Sequence, residues 1–129
     1  MRIKCNRIIS SATKEDLGGV SPWLKRGNEY TVLAIDWSSK FGMQVFIQTE
    51  HYNEPHFVDL EGFEITSQKI PSSWITTTKQ FGDQLLVTML PKSWSTHDGF
   101  FEELDDERPE IVALFNKEAE LIYHEEGVE

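Results

Sequence analysis

The sequence predicts an α+β fold: a small, mostly antiparallel sheet, or a partly open barrel, followed by C-terminal helices. Short runs of β-branched and aromatic residues that alternate with a period of two recur between Arg2 and Leu90. Glycine and proline punctuate those runs at turn-like intervals. After Thr96 the apolar residues respace to a helical period, and strands followed by helices read as α+β rather than alternating α/β.

The elements can be taken in order. Arg2 to Ile9 reads as a first strand, and Ser11 to Leu17 as a helical turn stopped by Gly18-Gly19. Glu29 to Trp37 reads as one strand. Tyr30, Val32, Ala34 and Asp36 lie on one face and Thr31, Leu33, Ile35 and Trp37 on the other, so both sides should be covered. Ser38 to Gly42 is a hairpin connection, and Met43 to Glu50 returns with Met43, Val45, Ile47 and Thr49 on one face. A turn over Tyr52 to Pro55 leads to His56–Leu60, and Gly62–Thr66 follows. Ile70 to Trp74 breaks the pattern. Trp74–Thr78 and Gln84–Leu90 resume it through Gly82-Asp83, and Pro91 closes the last strand.

Beyond Thr96, Asp98 can cap a short helix over Gly99–Leu104. Asp106 or Glu107 can start a longer one, with Pro109 in its first turn. Ile111, Phe115, Ala119 and Ile122 share one face, widened by Leu114 and Leu121, and Gly127 stops the helix. The 129 residues fit one domain, strand-rich over 1–91 and helical and acidic over 97–126.

Charge narrows the function classes. Net charge is −10, yet residues 1–97 hold ten acids and ten bases, while residues 98–129 hold twelve acids and two bases. Nucleic acid and anionic membranes demand clustered Lys and Arg, so neither is an expected partner. Cys5 is the single cysteine, which excludes an internal disulfide. Behind the basic N-terminus only Ile8-Ile9 is apolar, far short of the ~7–15 residues of a signal peptide. A cytoplasmic protein is the expectation.

No phosphate-binding loop, dinucleotide turn or His-Glu-x-x-His helix is present. Glu50, His51, Glu54, His56 and Asp59 are dense in metal-capable atoms, but they straddle a turn where polar residues gather anyway. Ser95, His97 and Asp98 are adjacent in sequence, which is not how a catalytic triad is assembled. No catalytic residue, cofactor or metal is expected, and Cys5 reads as a small buried apolar group.

The strongest signal is acidic. Glu102, Glu103, Asp105, Asp106, Glu107 and Glu110 place six carboxylates within nine positions, with Asp98 just before them. A helix start accounts for two or three acids through the helix dipole. The remainder repel one another, and a positive partner would relieve them.

Residues 24–66, from Leu24-Lys25-Arg26-Gly27-Asn28-Glu29-Tyr30-Thr31-Val32 to Gly62-Phe63-Glu64-Ile65-Thr66, resemble the opening of a Src-homology-3-like barrel. The chain as a whole is similar in character to bacterial immunity proteins, small acidic domains that neutralise toxins. That resemblance implies a non-catalytic inhibitor whose acidic surface covers the basic active site of a nuclease-type toxin. A small adaptor or structural module with a barrel-like fold is the alternative.

Overall fold

A computed structural model describes residues 1–9, 21 and 23–128. The helical turn expected over Ser11–Leu17 lies outside them. The strands are β1 (Arg2–Cys5), β2 (Glu29–Thr31), β3 (Ala34–Ser38), β4 (Gly42–Gln48), β5 (Pro55–Asp59), β6 (Phe63–Ser67), β7 (Trp74–Phe81) and β8 (Gln84–Pro91). Helices α1 (Lys92–Ser95), α2 (Phe100–Asp105) and α3 (Pro109–Glu125) follow. The strands form two antiparallel sheets, ordered β2-β1-β6 and β5-β4-β3-β8-β7, and neither closes into a barrel. The architecture is α+β, and segment 24–66 is shared between both sheets. No helix among the described residues is long and apolar enough to cross a membrane.

Glu29 to Trp37 is two strands rather than one. β2 pairs with β1, and β3 pairs with β4 and β8, so the chain changes sheets at Val32-Leu33. The Val32 amide donates to the Met1 carbonyl at 2.9 Å and the Leu33 amide to Phe46 at 2.8 Å, so the backbone stays satisfied through the crossing. Every residue from Tyr30 to Ile35 is buried. A run apolar on both faces suits a strand covered on both sides and a strand that changes sheets equally well.

β1 also ends earlier than its sequence suggests. After Cys5 the chain turns, and the amides of Asn6 and Arg7 both donate to the Gly62 carbonyl at 2.9 Å. Gly62 has φ 92°, and a Cβ there would stand 2.5 Å from the Arg7 carbonyl oxygen, so only glycine fits. The hairpins at 38–42 and 82–83 form where their turn residues place them. Pro55 starts β5 on a sheet edge, the position where a strand tolerates proline.

The helical stripe is buried as its spacing dictates: Ile111, Phe115, Ala119 and Ile122 all face the core. Leu121 does not widen it, since that side chain is 49% exposed. α2 starts from Gly99 at φ 71° with no side-chain cap, so Asp98 does not cap it. α3 starts at Pro109 rather than at Asp106 or Glu107, because those two residues finish α2. Its end is a Schellman motif, with Gly127 donating to His124 and Val128 to Tyr123.

α1 has no clear sequence signal, yet it carries Trp94, which is fully buried. Trp94 stacks on Phe100 at 4.8 Å and on Phe115 at 5.4 Å, and Phe46 stands edge-on to both Trp94 and Phe115. Trp94 thereby ties α2 and α3 to the five-stranded sheet. The position of the acidic segment depends on that aromatic junction.

Candidate partner-binding surface

All seven acidic residues singled out from the sequence lie on or beside the α2–α3 corner. Asp98 sits in the turn before α2, Glu102, Glu103 and Asp105 lie on α2, Asp106 and Glu107 form the connection, and Glu110 opens α3. Glu103 is half-buried and the other six are exposed. Arg108 is the cation of the corner: its guanidinium lies 3.7 Å from Glu103 and 3.4 Å from Glu110, and His97 is 3.7 Å from Glu103. Among the described residues Asp98, Glu102, Asp105, Asp106 and Glu107 have no ion pair. Exposed pairs of this kind stabilise by only ~0–1 kcal/mol each, so the corner holds its shape through packing.

Glu107 is held in the left-handed region at φ 56°. It closes α2 in a Schellman motif, its amide donating to Leu104 at 3.0 Å and the Arg108 amide to Glu103 at 3.2 Å. That position favours glycine, and a residue with a Cβ gives up ~1–2 kcal/mol there. Glu107→Gly is therefore expected to raise stability by about 1 kcal/mol in chemical denaturation. A lowered midpoint would contradict the reading of this corner as strained.

The corner borders a groove of about 350 Å³, whose other wall comes from a distant part of the chain. Phe46, Phe57, Phe101 and Leu104 line its apolar part, while Glu102, Asp105 and Glu107 meet Glu54 and His56 from the β4–β5 turn and β5. His56 Nε2 lies 3.5 Å from the Glu54 carboxylate. Glu54 and His56 were legible in sequence only as part of a polar turn. The fold, not their spacing, places them beside residues some fifty positions later.

The remaining polar candidates are absorbed elsewhere. Glu50 accepts from the Tyr30 hydroxyl at 2.8 Å, and His51 and His56 flank Trp23 with ring centroids 4.9 and 4.7 Å away. Among the described residues no three His, Cys, Asp or Glu side chains gather as metal ligands would. Ser95 donates its hydroxyl to the Lys92 carbonyl at 2.7 Å while His97 faces Glu103, so the two are not joined as nucleophile and base. Cys5 is buried, and burial raises its pKa against the opposing charge of Arg26.

The acids Glu125 and Glu126, at the end of α3 and just past it, have structural tasks. Glu125 accepts from the Ser72 hydroxyl at 2.7 Å and its amide at 3.1 Å, bonds that hold its carboxyl below the usual value. Burial works against the charge of Glu126, but hydrogen bonds from the N-terminal ammonium and Ser67 prevail, and its pKa is lowered too. Among the described residues the carboxylates without such partners are concentrated at the α2–α3 corner.

Comparison of the sequence with family models and with curated proteins, and of the structure with solved structures, gives no match.

Proposed function

We infer that this chain is a protein-binding inhibitor, an immunity protein that acts in the cytoplasm by covering the basic active site of a nuclease-type toxin. The observation that carries this reading is the groove beside α2. Carboxylates from two distant parts of the chain, Glu54 and the trio Glu102, Asp105 and Glu107, surround an aromatic floor. A nuclease holds phosphates with Lys and Arg, and carboxylates can take the place of those phosphates in charge-assisted hydrogen bonds. An aromatic floor adds to this, since a guanidinium stacks on aromatic faces and long cationic side chains bury their stems on apolar surface. Glu107 supports the same reading: the chain keeps a carboxylate where glycine is the more stable choice, as residues under functional demand do.

Inhibition on this reading is stoichiometric and needs no catalysis or cofactor. The test asks whether a gene beside this one encodes a nuclease-type toxin and whether this protein inhibits that toxin. The wild-type protein at equimolar ratio should abolish the toxin's cleavage of nucleic acid. The variant with Glu54, Glu102, Asp105 and Glu107 all replaced by Ala should leave cleavage largely intact. Full inhibition by that variant, or no inhibition by the wild type, would contradict the proposal.

A further inference from the structure

Among the described residues β7 is the longest exposed edge strand. It contributes eight residues to the margin of the five-stranded sheet, and among the described residues it pairs with β8 alone. Its register with β8 runs unbroken from Trp74↔Pro91 to Phe81↔Gln84, with no bulge. It contains no proline, and Lys79 is its one charge. Proteins usually blunt such an edge with charge, proline or a bulge, because its free amides and carbonyls template further pairing. β7 has almost none of these protections, and Ile75, Thr76, Thr77 and Thr78 are β-branched residues that favour an extended pairing.

The tight turn fixes which groups point outward. Gly82, at φ 61°, and Asp83 form a two-residue loop, so Phe81 and Gln84 are a hydrogen-bonded pair. By alternation Ile75, Thr77, Lys79 and Phe81 turn their amides and carbonyls toward β8. Thr76, Thr78 and Gln80 turn theirs away from the sheet.

We propose that this edge binds the same edge of a second copy of the chain, antiparallel and centred on Thr78, forming one continuous sheet of ten strands. The register follows from self-complementarity. Centring on Lys79 sets two ammonium groups opposite each other, and centring on Thr77 sets Ile75 opposite Lys79. Centring on Thr78 places Lys79 opposite Thr77 and Ile75 opposite Phe81, twice by symmetry. Those two apolar side chains are 36% and 60% exposed in the single chain, and each covers the other in the pair. Thr76 meets Gln80 and Thr78 meets Thr78, so every outward amide and carbonyl of this stretch gains a partner. The interface is isologous, as a two-fold dimer requires. One strand pair is a small contact, in the class below about 1,200 Å² that gives transient complexes, so dimers should form at high protein concentration.

Sedimentation of the wild-type protein at about 0.5 mM should report twice the 14.9 kDa monomer mass, falling to one on dilution. Thr78→Pro should be monomeric throughout with an unchanged circular dichroism spectrum, because its lost amide faces away from β8. A second pair of variants fixes the register and does not depend on that one folding. Oxidised Thr78→Cys should form a covalent dimer, since Cα atoms of a hydrogen-bonded antiparallel pair lie ~5.5 Å apart, within disulfide range. Thr77→Cys should cross-link at least tenfold more slowly, and Cys5 is buried and silent. A monomer at every concentration, a dimer that survives Thr78→Pro, or equal cross-linking at 77 and 78 would overturn the proposal. So would a monomer whose β7 amides become protected only on adding the toxin, because the edge would then serve a foreign strand.

Discussion

Replacing Phe115 with alanine should lower stability by about 3–5 kcal/mol, the range for truncating a buried Phe. Phe115 is 3% exposed and stacks against Trp94, with Phe46 edge-on to its ring. These three side chains join α3, α1 and the five-stranded sheet, so the vacated space cannot collapse without moving one of those elements. Glu120, exposed on the same helix, provides the control: Glu120→Ala should change stability by no more than ~0.5 kcal/mol. Chemical denaturation of both variants is the measurement, and equal midpoints would mean that the stripe does not anchor the helix. The effect reaches the candidate surface because Trp94 stacks on Phe100, the first residue of α2. A protein that loses this junction should also lose its grip on any partner of the α2–α3 corner.

Reversing Glu102, Asp105, Asp106 and Glu107 to lysine should slow association with the proposed toxin partner by about ten- to a thousandfold, the range over which electrostatic steering acts. These are corner carboxylates without an ion pair, whereas Glu103 and Glu110 already share Arg108. Reversing Glu64 and Glu120, exposed but remote in the fold, should change the rate several times less. Stability should hold or rise, because crowded like charges are relieved at a surface that packing does not depend on. A fall of more than ~1 kcal/mol would show that the corner carboxylates have structural tasks like those of Glu125 and Glu126.

The sequence showed most where the determinants are local. The stripe of Ile111, Phe115, Ala119 and Ile122 and the hairpins at 38–42 and 82–83 each depend on residues within a turn or two of one another. The second sheet was not legible in the same way. β1 pairs with β2 and with β6, across roughly 25 and 60 positions, and no local pattern encodes such a pairing. The buried run from Tyr30 to Ile35 concealed a change of sheet because a strand covered on both sides has the same composition. α1 went unseen since a single turn has no period to detect, and its significance lies in Trp94 alone.

The candidate surface divides along the same line. Its acidic half is one uninterrupted segment, and composition alone picked it out. Its aromatic floor and the opposing Glu54 and His56 come from β4 and β5, and only folding brings them together. Within the acidic segment the fold also sorted residues by role: Arg108 pairs with Glu103 and Glu110, while Glu107 occupies a conformation that glycine prefers.

The most direct test is the association rate constant with the proposed toxin partner, measured by stopped flow at low and high salt. Screening acts over ~8 Å at physiological ionic strength, so carboxylates spread over the α2–α3 corner lose their joint field as salt rises. The wild-type rate should fall about tenfold or more between the two conditions, and the variant reversed at Glu102, Asp105, Asp106 and Glu107 should be slow at both. Equal rates for the two proteins, with the same dependence on salt, would show that the acidic corner is solvated surface and that the partner binds elsewhere.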